Sequence, residues 1–180
     1  MKKKNVFGML ILFACFASCI QIPKPHYENG WYHILSKQKD SIVKEPIVTV
    51  KDFVSLRLDS DGNGTYAIVG QISKHKLKKW ADETEKAIGK QIAFVFNDTV
   101  ITNPQVNARI ESGTFQISSH DYDLKNIYNK IRKEKIDSIE SVLKGWNKDS
   151  IYTKLTQEQK DSIRFKTDYW DALSISQGFE

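Results

Sequence analysis

The sequence predicts an α+β domain, with a small mixed or antiparallel sheet, helices on one face of that sheet, and a helical C-terminal extension. Three observations indicate this class. Residues 47–58 alternate between apolar and polar side chains, which is typical of a half-buried strand. Residues 92–96 form a short, continuously apolar run, which is typical of a buried strand. Apolar residues recur at helical spacing in 77–88 and again after 124, so the order is strands, helix, strands, helices.

The N-terminus has the three parts of a secretory signal peptide: Lys2 to Lys4, an apolar run over 6–16, and small residues before Cys19. The apolar run is too short to span a bilayer comfortably. Ala17-Ser18-Cys19 resembles the lipobox of bacterial lipoproteins, in which the cysteine is acylated and becomes the first residue. We therefore expect residues 1–18 to be a signal peptide. Cys19 would carry fatty acyl chains such as palmitate and hold the protein on a membrane of the cell envelope, on its periplasmic side or at the cell surface.

Two alternatives to this lipid anchor stay open. The lipobox more often has an aliphatic residue where Phe16 stands, and an ordinary cleaved signal would leave Cys19 dispensable. Cys15 is a weaker rival for the acylated position, because the bulky Phe13 lies two residues before it.

The cysteine content and the net charge argue against an internal disulfide and against a nucleic-acid-binding function. Both cysteines lie within the first nineteen residues, so the body of the protein has no thiol for an internal disulfide. The formal charge of +5 also owes much to this segment, and the remaining residues carry 24 basic against 22 acidic side chains. That balance gives no basic surface for nucleic acid.

Residues 19–45, with Pro23 and Pro25, are expected to be an anchor and tether. The aromatic segment 29–33 within it is expected to dock as an edge strand or to present its rings to a partner.

The first predicted strands form a hairpin. The alternation in 47–58 slips near Asp52, as a bulge would cause, and the turn-forming residues 59–64 lead into a second strand over 65–72. Asp59, Asp61 and Asn63 also begin like a calcium-binding loop. The bidentate acid expected at the twelfth position is Gly70, so we predict no calcium site.

A helix follows, which Ser73 is expected to cap and Gly89 to end. Its predicted buried stripe comprises Leu77, Trp80, Ala81, Thr84, Ala87 and Ile88. A second hairpin is predicted from strand 92–96, the turn Asn97-Asp98 and a short strand over 99–102 that Pro104 stops. A further short strand is expected over 114–117.

The C-terminal part is predicted to be helical. Ser119 or Asp121 is expected to cap a helix with the stripe Leu124, Ile127, Tyr128 and Ile131. The stripe resumes at Ile136 after a five-residue step and runs on to Trp146, so this helix either bends near Lys133 or restarts. A last helix, capped by Thr156, is expected to bury Ile163, Phe165, Tyr169, Trp170 and Leu173.

Several residues match a known family pattern. These are Thr84, Gly89, the run 92–96, Asp98, Pro104, Asn107 and Gly113. Their spacing resembles the head subdomain of the first periplasmic domain of SecD, although Thr99 stands where that family usually has Gly. The resemblance covers 46–133 and leaves 134–180 as the helical extension. It implies a SecD-head-like fold, and a module on the outer face of the membrane that receives emerging polypeptide. In SecD, transmembrane helices couple this module to proton flow, and we recognise no such helices in this sequence.

No arrangement of residues in the sequence indicates a catalytic site or a metal site. The four histidines lack metal-ligand spacing, no nucleophile motif is visible, and turn or loop roles explain Asp98 and Glu111. We therefore expect no enzyme, no metal and no cofactor, and a module that binds an extended polypeptide or an envelope protein. The alternatives are an accessory of Sec-dependent translocation and an enzyme with an unrecognised site. The candidate binding edge comprises Thr99, Val100, Ile101, Asn107 and Ile110, because a hairpin interrupted by Pro104 leaves backbone groups unpaired.

Overall fold

The computed structural model describes residues 26–35, 42–62, 64–143 and 154–177. The predicted signal peptide 1–18, Cys19, the two tether prolines, Asn63 and Trp146 lie outside the described residues. Within the described part of the chain, no helix is both long and apolar enough to cross a membrane.

The α+β class is confirmed, but the strands form two antiparallel sheets where one was expected. The first sheet has the order β2-β1-β5-β6, and its strands are β1 (Gly30–His33), β2 (Val48–Thr49), β5 (Ile92–Phe96) and β6 (Thr99–Thr102). The second has the order β3-β4-β7, and its strands are β3 (Phe53–Ser60), β4 (Tyr66–Ile72) and β7 (Thr114–Ser118). The edge strands β6 and β7 approach to within 8 Å between Cα atoms without pairing.

The predicted strand over 47–58 is broken into β2 and β3 by a single 3-10 turn, Val50–Asp52. The Asp52 carboxylate accepts a hydrogen bond from the Thr49 backbone N–H at 2.8 Å, which caps this turn. The slip seen near Asp52 in the sequence is therefore the corner at which the chain leaves one sheet and enters the other. A true bulge lies further on, at Ser55, whose φ is +52°.

The β3–β4 hairpin is confirmed. Asp61 N–H donates to the Thr65 carbonyl, and the Asp61 carboxylate accepts from Thr65 N–H at 3.1 Å. Asp59 forms an ion pair with Arg57. The acidic residues of the calcium-like stretch are thus used in the turn and its flanking strand.

β1 is an inner strand, paired with β2 on one side and β5 on the other, so the prediction of an edge strand was wrong. The reason is that Trp31 and Tyr32 alternate across two buried faces. Tyr32 packs with Ala93 and Val95 on the outer face. Trp31 lies in the main core between the sheets, with its ring centroid 5.5 Å from that of Phe94.

The first helix, α1, spans Leu77–Lys86 and ends before Gly89, which has φ +77°. Ser73 does not cap it. Ser73 Oγ instead accepts from His75 N–H and donates to Asp168 at 2.6 Å. Trp80, Ala81 and Thr84 are buried as predicted, whereas Ile88 is 48% exposed.

The second helix, α2, spans Leu124–Val142 without interruption. Its N-cap is Asp123, not Ser119 or Asp121, and the Asp123 carboxylate accepts from Asn126 N–H at 3.0 Å. The five-residue step from Ile131 to Ile136 is not a restart, because α2 is continuous there and the buried Lys135 occupies the missing position of the stripe. α2 also runs through the predicted boundary between 133 and 134.

The last predicted helix is two helices, α3 (Gln157–Lys166) and α4 (Tyr169–Gln177). The Thr156 capping box with Gln159 is confirmed. The break occurs because Asp168 starts a new helix: its carboxylate accepts from Trp170 N–H at 2.9 Å. Arg164 and Ala172 are the buried residues of these helices, while Ile163 is 48% exposed.

Candidate functional site

The free edge of the first sheet begins at the β5–β6 turn. Asn97 and Asp98 have φ values of +48° and +58°, so they form the mirror-image two-residue turn that matches strand twist. Phe96 and Thr99 close this turn. In such a hairpin the closing pair is hydrogen-bonded and the next pair is not. The backbone N–H and C=O of Val100, which is opposite Val95, therefore point away from β5.

The edge continues beyond β6 to Val106. Ile92 N–H donates to the Pro104 carbonyl at 3.2 Å, and Val106 N–H donates to the Lys90 carbonyl at 2.9 Å. Gln105 lies between these two bonds, opposite Gln91, so its N–H and C=O also point outward. β6 contains a bulge, because Val95 is opposite Val100 but Phe94 is opposite Thr102, which leaves Ile101 as an extra residue. Counting on from Thr102, the N–H and C=O of Asn103 also point away from β5.

This edge presents three sets of outward backbone groups, from Val100, Asn103 and Gln105. They lie opposite residues 95 to 91, in β5 and just before it, a span of about 13 Å in an antiparallel strand. None of these outward groups is hydrogen-bonded to another described residue. An exposed edge of this kind is a template for an added strand.

A polar groove of about 890 Å³ lies beside the start of the edge. Its walls are β6 and the connection from β7 to α2. The lining residues are Tyr27, Ile42, Asp98, Thr99, Val100, Ile101, Thr102, Asn103, Ser118, Ser119, His120, Asp121 and Tyr122.

An apolar groove of about 500 Å³ lies at the other end of the edge. It is bounded by both sheets, by α1 and by the loop 104–110. The lining residues are Trp31, Val69, Trp80, Ile92, Pro104, Gln105, Val106, Asn107, Ala108, Ile110, Thr114, Phe115 and Gln116.

The predicted edge residues divide between these two grooves. Thr99, Val100 and Ile101 lie on β6 and line the polar groove, whereas Asn107 and Ile110 line the apolar groove. The structure therefore places three of the five on the edge strand and the other two in the loop that follows the edge. Their role in binding stays a prediction.

Sequence reasoning missed the outward Gln105 and the two tryptophans, Trp31 and Trp80, of the apolar groove. The run from Gly89 to Asn107 carried a family signal, but nothing local indicates that Gln105 pairs with the segment before β5. The loop of the apolar groove is also fixed to α1. Arg109 forms ion pairs with Asp82 at 3.0 Å and with Glu85 at 2.6 Å.

The N-terminal segment is clamped to the β5–β6 turn. The Asp98 carboxylate accepts from Tyr27 N–H at 2.7 Å and contacts His26 Nδ1 at 3.0 Å. The bond from Tyr27 N–H, and then that from His26, lowers the pKa of Asp98. Asn29 extends the clamp, since its Oδ1 accepts from Asn97 N–H and its Nδ2 donates to Glu134. Burial raises the pKa of Glu134.

One further cluster of titratable groups joins α4 to the β4–α1 connection. His75, Asp168 and Asp171 are the described residues whose ligand atoms lie close enough together to suggest a metal site. Their carboxylates already have protein donors: His75 and Lys74 bond to Asp171 at 2.8 and 2.9 Å, and Ser73 bonds to Asp168. The bond from His75, followed by that from Lys74, lowers the pKa of Asp171. This geometry is that of a structural ion-pair network.

The family can now be identified, since residues 29–124 match the family model for the P1 head subdomain of SecDF. The chain belongs to this family. The recognition from residues 84–117 is confirmed, and the matched range extends it to β1. The matched range therefore includes α1 and the seven strands of the described residues, and it ends at the first residue of α2.

Individual relatives agree with this assignment. The chain is 32% identical over 72 residues to the protein translocase subunit SecD of Acidaminococcus fermentans, an alignment that covers 40% of this chain and 17% of that protein. It thus spans about a sixth of the length of this SecD.

Two solved structures of larger proteins are also similar to part of this chain. One is a membrane component, SecDF, that enhances protein export, with 22% identity, a TM-score of 0.45, and coverage of 52% of this chain and 42% of that one. The other is SecDF in its super-membrane-facing form, with 24% identity, a TM-score of 0.41, and coverage of 47% and 11%.

Proposed function

We propose that this chain is an accessory of Sec-dependent protein export, a non-enzymatic module that binds extended polypeptide outside the membrane. The observation that carries the proposal is the match of residues 29–124 to the P1 head family. The SecD relative is a translocase subunit, and a solved SecDF enhances protein export. The chain spans only part of those proteins, so their activity is proposed for it, not transferred to it.

The proposed mode of binding is addition of a strand to β6. An unfolded polypeptide pairs its backbone with the outward groups of Val100, Asn103 and Gln105, and its side chains enter the grooves on either side. Backbone pairing suits a partner of varied sequence, because the affinity comes largely from main-chain hydrogen bonds. The polar groove, about 890 Å³ in volume, leaves room for a chain beside β6.

The proposal includes attachment to a membrane by acyl chains on Cys19, after removal of residues 1–18. Its support is the basic, apolar and small-residue sequence of 2–19. Two acyl chains suffice for stable attachment, whereas one is marginal. The module would then act near the surface from which exported chains emerge.

Site-specific photocrosslinking in intact cells tests the binding proposal. A photoreactive amino acid replaces Thr99, which is exposed and lines the polar groove, in the full-length protein. Ser174, exposed on α4, is the matched control position. During export of a stalled secretory protein, we expect crosslinks to that substrate from position 99 and not from position 174. Equal crosslinking from both positions, or none from either, would count against binding at β6.

A second candidate function is an envelope peptide-binding module that works apart from the Sec machinery. The specific observation in its favour is the free β6 edge, which can form backbone hydrogen bonds with a peptide in the absence of a translocon. Isolation of the crosslinked protein from the same cells separates the two. Translocon subunits in the isolated complex support the export accessory, whereas crosslinked polypeptide without them supports the second candidate.

A further inference from the structure

The apolar groove lies beside the Gln105 end of the proposed binding edge. Pro104, Gln105 and Val106 belong both to the free edge and to the lining of the groove. A strand that hydrogen-bonds to Gln105 must therefore pass directly over the groove. Side chains alternate along such a strand, so one next to the Gln105 position points toward the groove.

The deeper part of the groove is aromatic and uncharged. Trp31 and Trp80 are each 1% exposed, and Phe115 is also buried. The Trp31 and Trp80 rings meet edge to face, with centroids 6.0 Å apart. Neither indole Nε1 has a hydrogen-bond partner among the described residues. None of the groove's lining residues is charged, so a charged side chain entering it would lose its hydration without gaining a counter-ion.

We propose that this groove takes one large apolar side chain, such as Leu or Phe, from the extended polypeptide bound at β6. This inference rests on the proposed binding mode and adds to it a preference for side-chain type. Its volume of about 500 Å³ lies within the range of pockets that enclose small ligands. The polar groove at the other end of the edge includes Asp98, His120 and Asp121, so the preference is confined to the Gln105 end.

This preference suits a polypeptide in transit. Unfolded chains expose the large apolar residues that a folded protein buries. A site that joins main-chain pairing to one apolar anchor therefore separates unfolded from folded partners, because a folded protein offers neither a free strand nor an exposed anchor.

The test uses a set of short, end-blocked peptides of alternating Thr and Val with one central guest residue: Leu, Phe, Ala or Asp. Binding to the full-length protein is measured by fluorescence anisotropy of a labelled peptide. We expect the Leu and Phe peptides to bind about 10- to 100-fold more tightly than the Ala peptide. The Asp peptide should bind more weakly than the Ala peptide.

Variants separate the groove from the edge. Ile110→Asp places a charge at the partly exposed rim of the groove and should abolish the preference for Leu over Ala. Ile163→Asp, at an isoleucine 48% exposed on α3, is the matched control and should leave the preference unchanged. Val100→Pro removes an outward N–H at a position where an edge strand tolerates proline, and should weaken all peptides alike. Val100→Ala keeps that N–H and should not.

The failures are distinguishable. If every guest residue binds equally and Val100→Pro still weakens binding, the groove proposal is overturned while binding at β6 stands. If no peptide binds, binding at β6 and the groove proposal fall together. A benzophenone guest residue tests the wild type without relying on a variant: crosslinks to Trp31, Trp80 or 104–110 support the groove, and crosslinks elsewhere overturn it.

Discussion

Trp170 on α4 donates a hydrogen bond of 2.8 Å from its indole Nε1 to the Asp52 carboxylate. Asp52 is buried and caps the 3-10 turn that joins the two sheets. A residue near the C-terminus thus completes the hydrogen bonding of the corner of the P1 head.

Trp170→Phe should lower the free energy of unfolding by about 2 kcal/mol, because a buried carboxylate loses a charge-assisted hydrogen bond. Tyr169→Phe is the control, since the Tyr169 hydroxyl makes no hydrogen bond to a described residue. Urea denaturation gives both values. Equal effects of the two substitutions would show that the hydrogen bond to Asp52 contributes nothing specific.

Lys135→Met should change how stability depends on pH. Burial lowers the pKa of Lys135 to about 8, and its amine donates to the Thr167 carbonyl at 2.6 Å. The unfolded chain therefore binds more protons than the folded protein between pH 8 and 10.5, and wild-type stability rises with pH across that range.

Relative to Lys135→Met, the wild type should gain about 3 kcal/mol between pH 7.5 and 10.5, as an order of magnitude. Urea midpoints measured across this range for both proteins give the difference. Lysines and tyrosines elsewhere titrate in both proteins and cancel. Parallel curves would mean that folding does not lower the pKa of Lys135.

Gly113→Ala should destabilise the fold more than Gly89→Ala. Both glycines have positive φ, +72° and +77°. A Cβ at Gly89 would meet open space, whereas a Cβ at Gly113 would overlap with the Leu77 side chain. Backbone strain should cost about 1 kcal/mol at each glycine, and the overlap should add about 1 kcal/mol at Gly113, because the end of the Leu77 side chain can shift.

Gly113→Val should be worse than Gly113→Ala, because β-branching adds to both the overlap and the strain. Chemical denaturation of the three variants ranks them. If Gly89→Ala proved the most damaging, the position of Gly113 against α1 would be incorrect.

Asp98→Asn tests the clamp on the N-terminal segment. Asn tolerates the left-handed backbone of the turn, so the substitution removes the charge and keeps the turn. The folded-state pKa of Asp98 is lowered, so its contribution is present above the ordinary Asp pKa and lost as pH falls through the folded-state value.

We expect the Tyr27 amide to exchange with solvent faster in Asp98→Asn than in the wild type at pH 7. The difference in stability between the two proteins should shrink as the pH falls below the ordinary pKa of Asp. From the sequence alone, Asp98 has only a local role in its turn. In the structure Asp98 also holds residues 26 and 27, which lie about seventy positions earlier in the chain. Unchanged exchange at Tyr27 would contradict these two contacts.

Cys19→Ala should prevent acylation. In cells fed a fatty-acid analogue, the wild type should be labelled and should partition with membranes, and the variant should be unlabelled. Cys15→Ala is the matched control and should behave as the wild type. Equal labelling of wild type and Cys19→Ala would exclude Cys19 as the anchor.

The sequence was informative where one physical signal dominated. The Asn97-Asp98 turn, Gly89 and the Thr156 capping box were all predicted from local chemistry, and each is confirmed. Lys135 shows the limit of this reasoning: a lysine within an apolar stripe looks like an interruption, because its burial depends on an acceptor 32 residues away.

The candidate edge shows the same division. The interruption of the second hairpin by Pro104 was the basis for predicting a binding edge near Thr99 to Ile110. The apolar groove was not predictable, because its aromatic rings come from β1, α1 and β7 and meet only in the folded molecule. The inner position of β1 likewise depends on pairing with β5, about sixty residues later in the chain.

That pairing has a consequence for the order in which the molecule assembles. Hairpins such as β3–β4 join neighbouring residues and can form as soon as those residues are available. The pairing of Trp31 with Phe94 closes a long loop, which is slower. If the chain crosses a membrane from its N-terminus, as proposed, β1 and β2 emerge first, and the side of β1 that pairs with β5 stays unpaired until Phe96 has emerged. During that interval an exported chain would itself be an unfolded polypeptide of the kind that its folded form is proposed to bind.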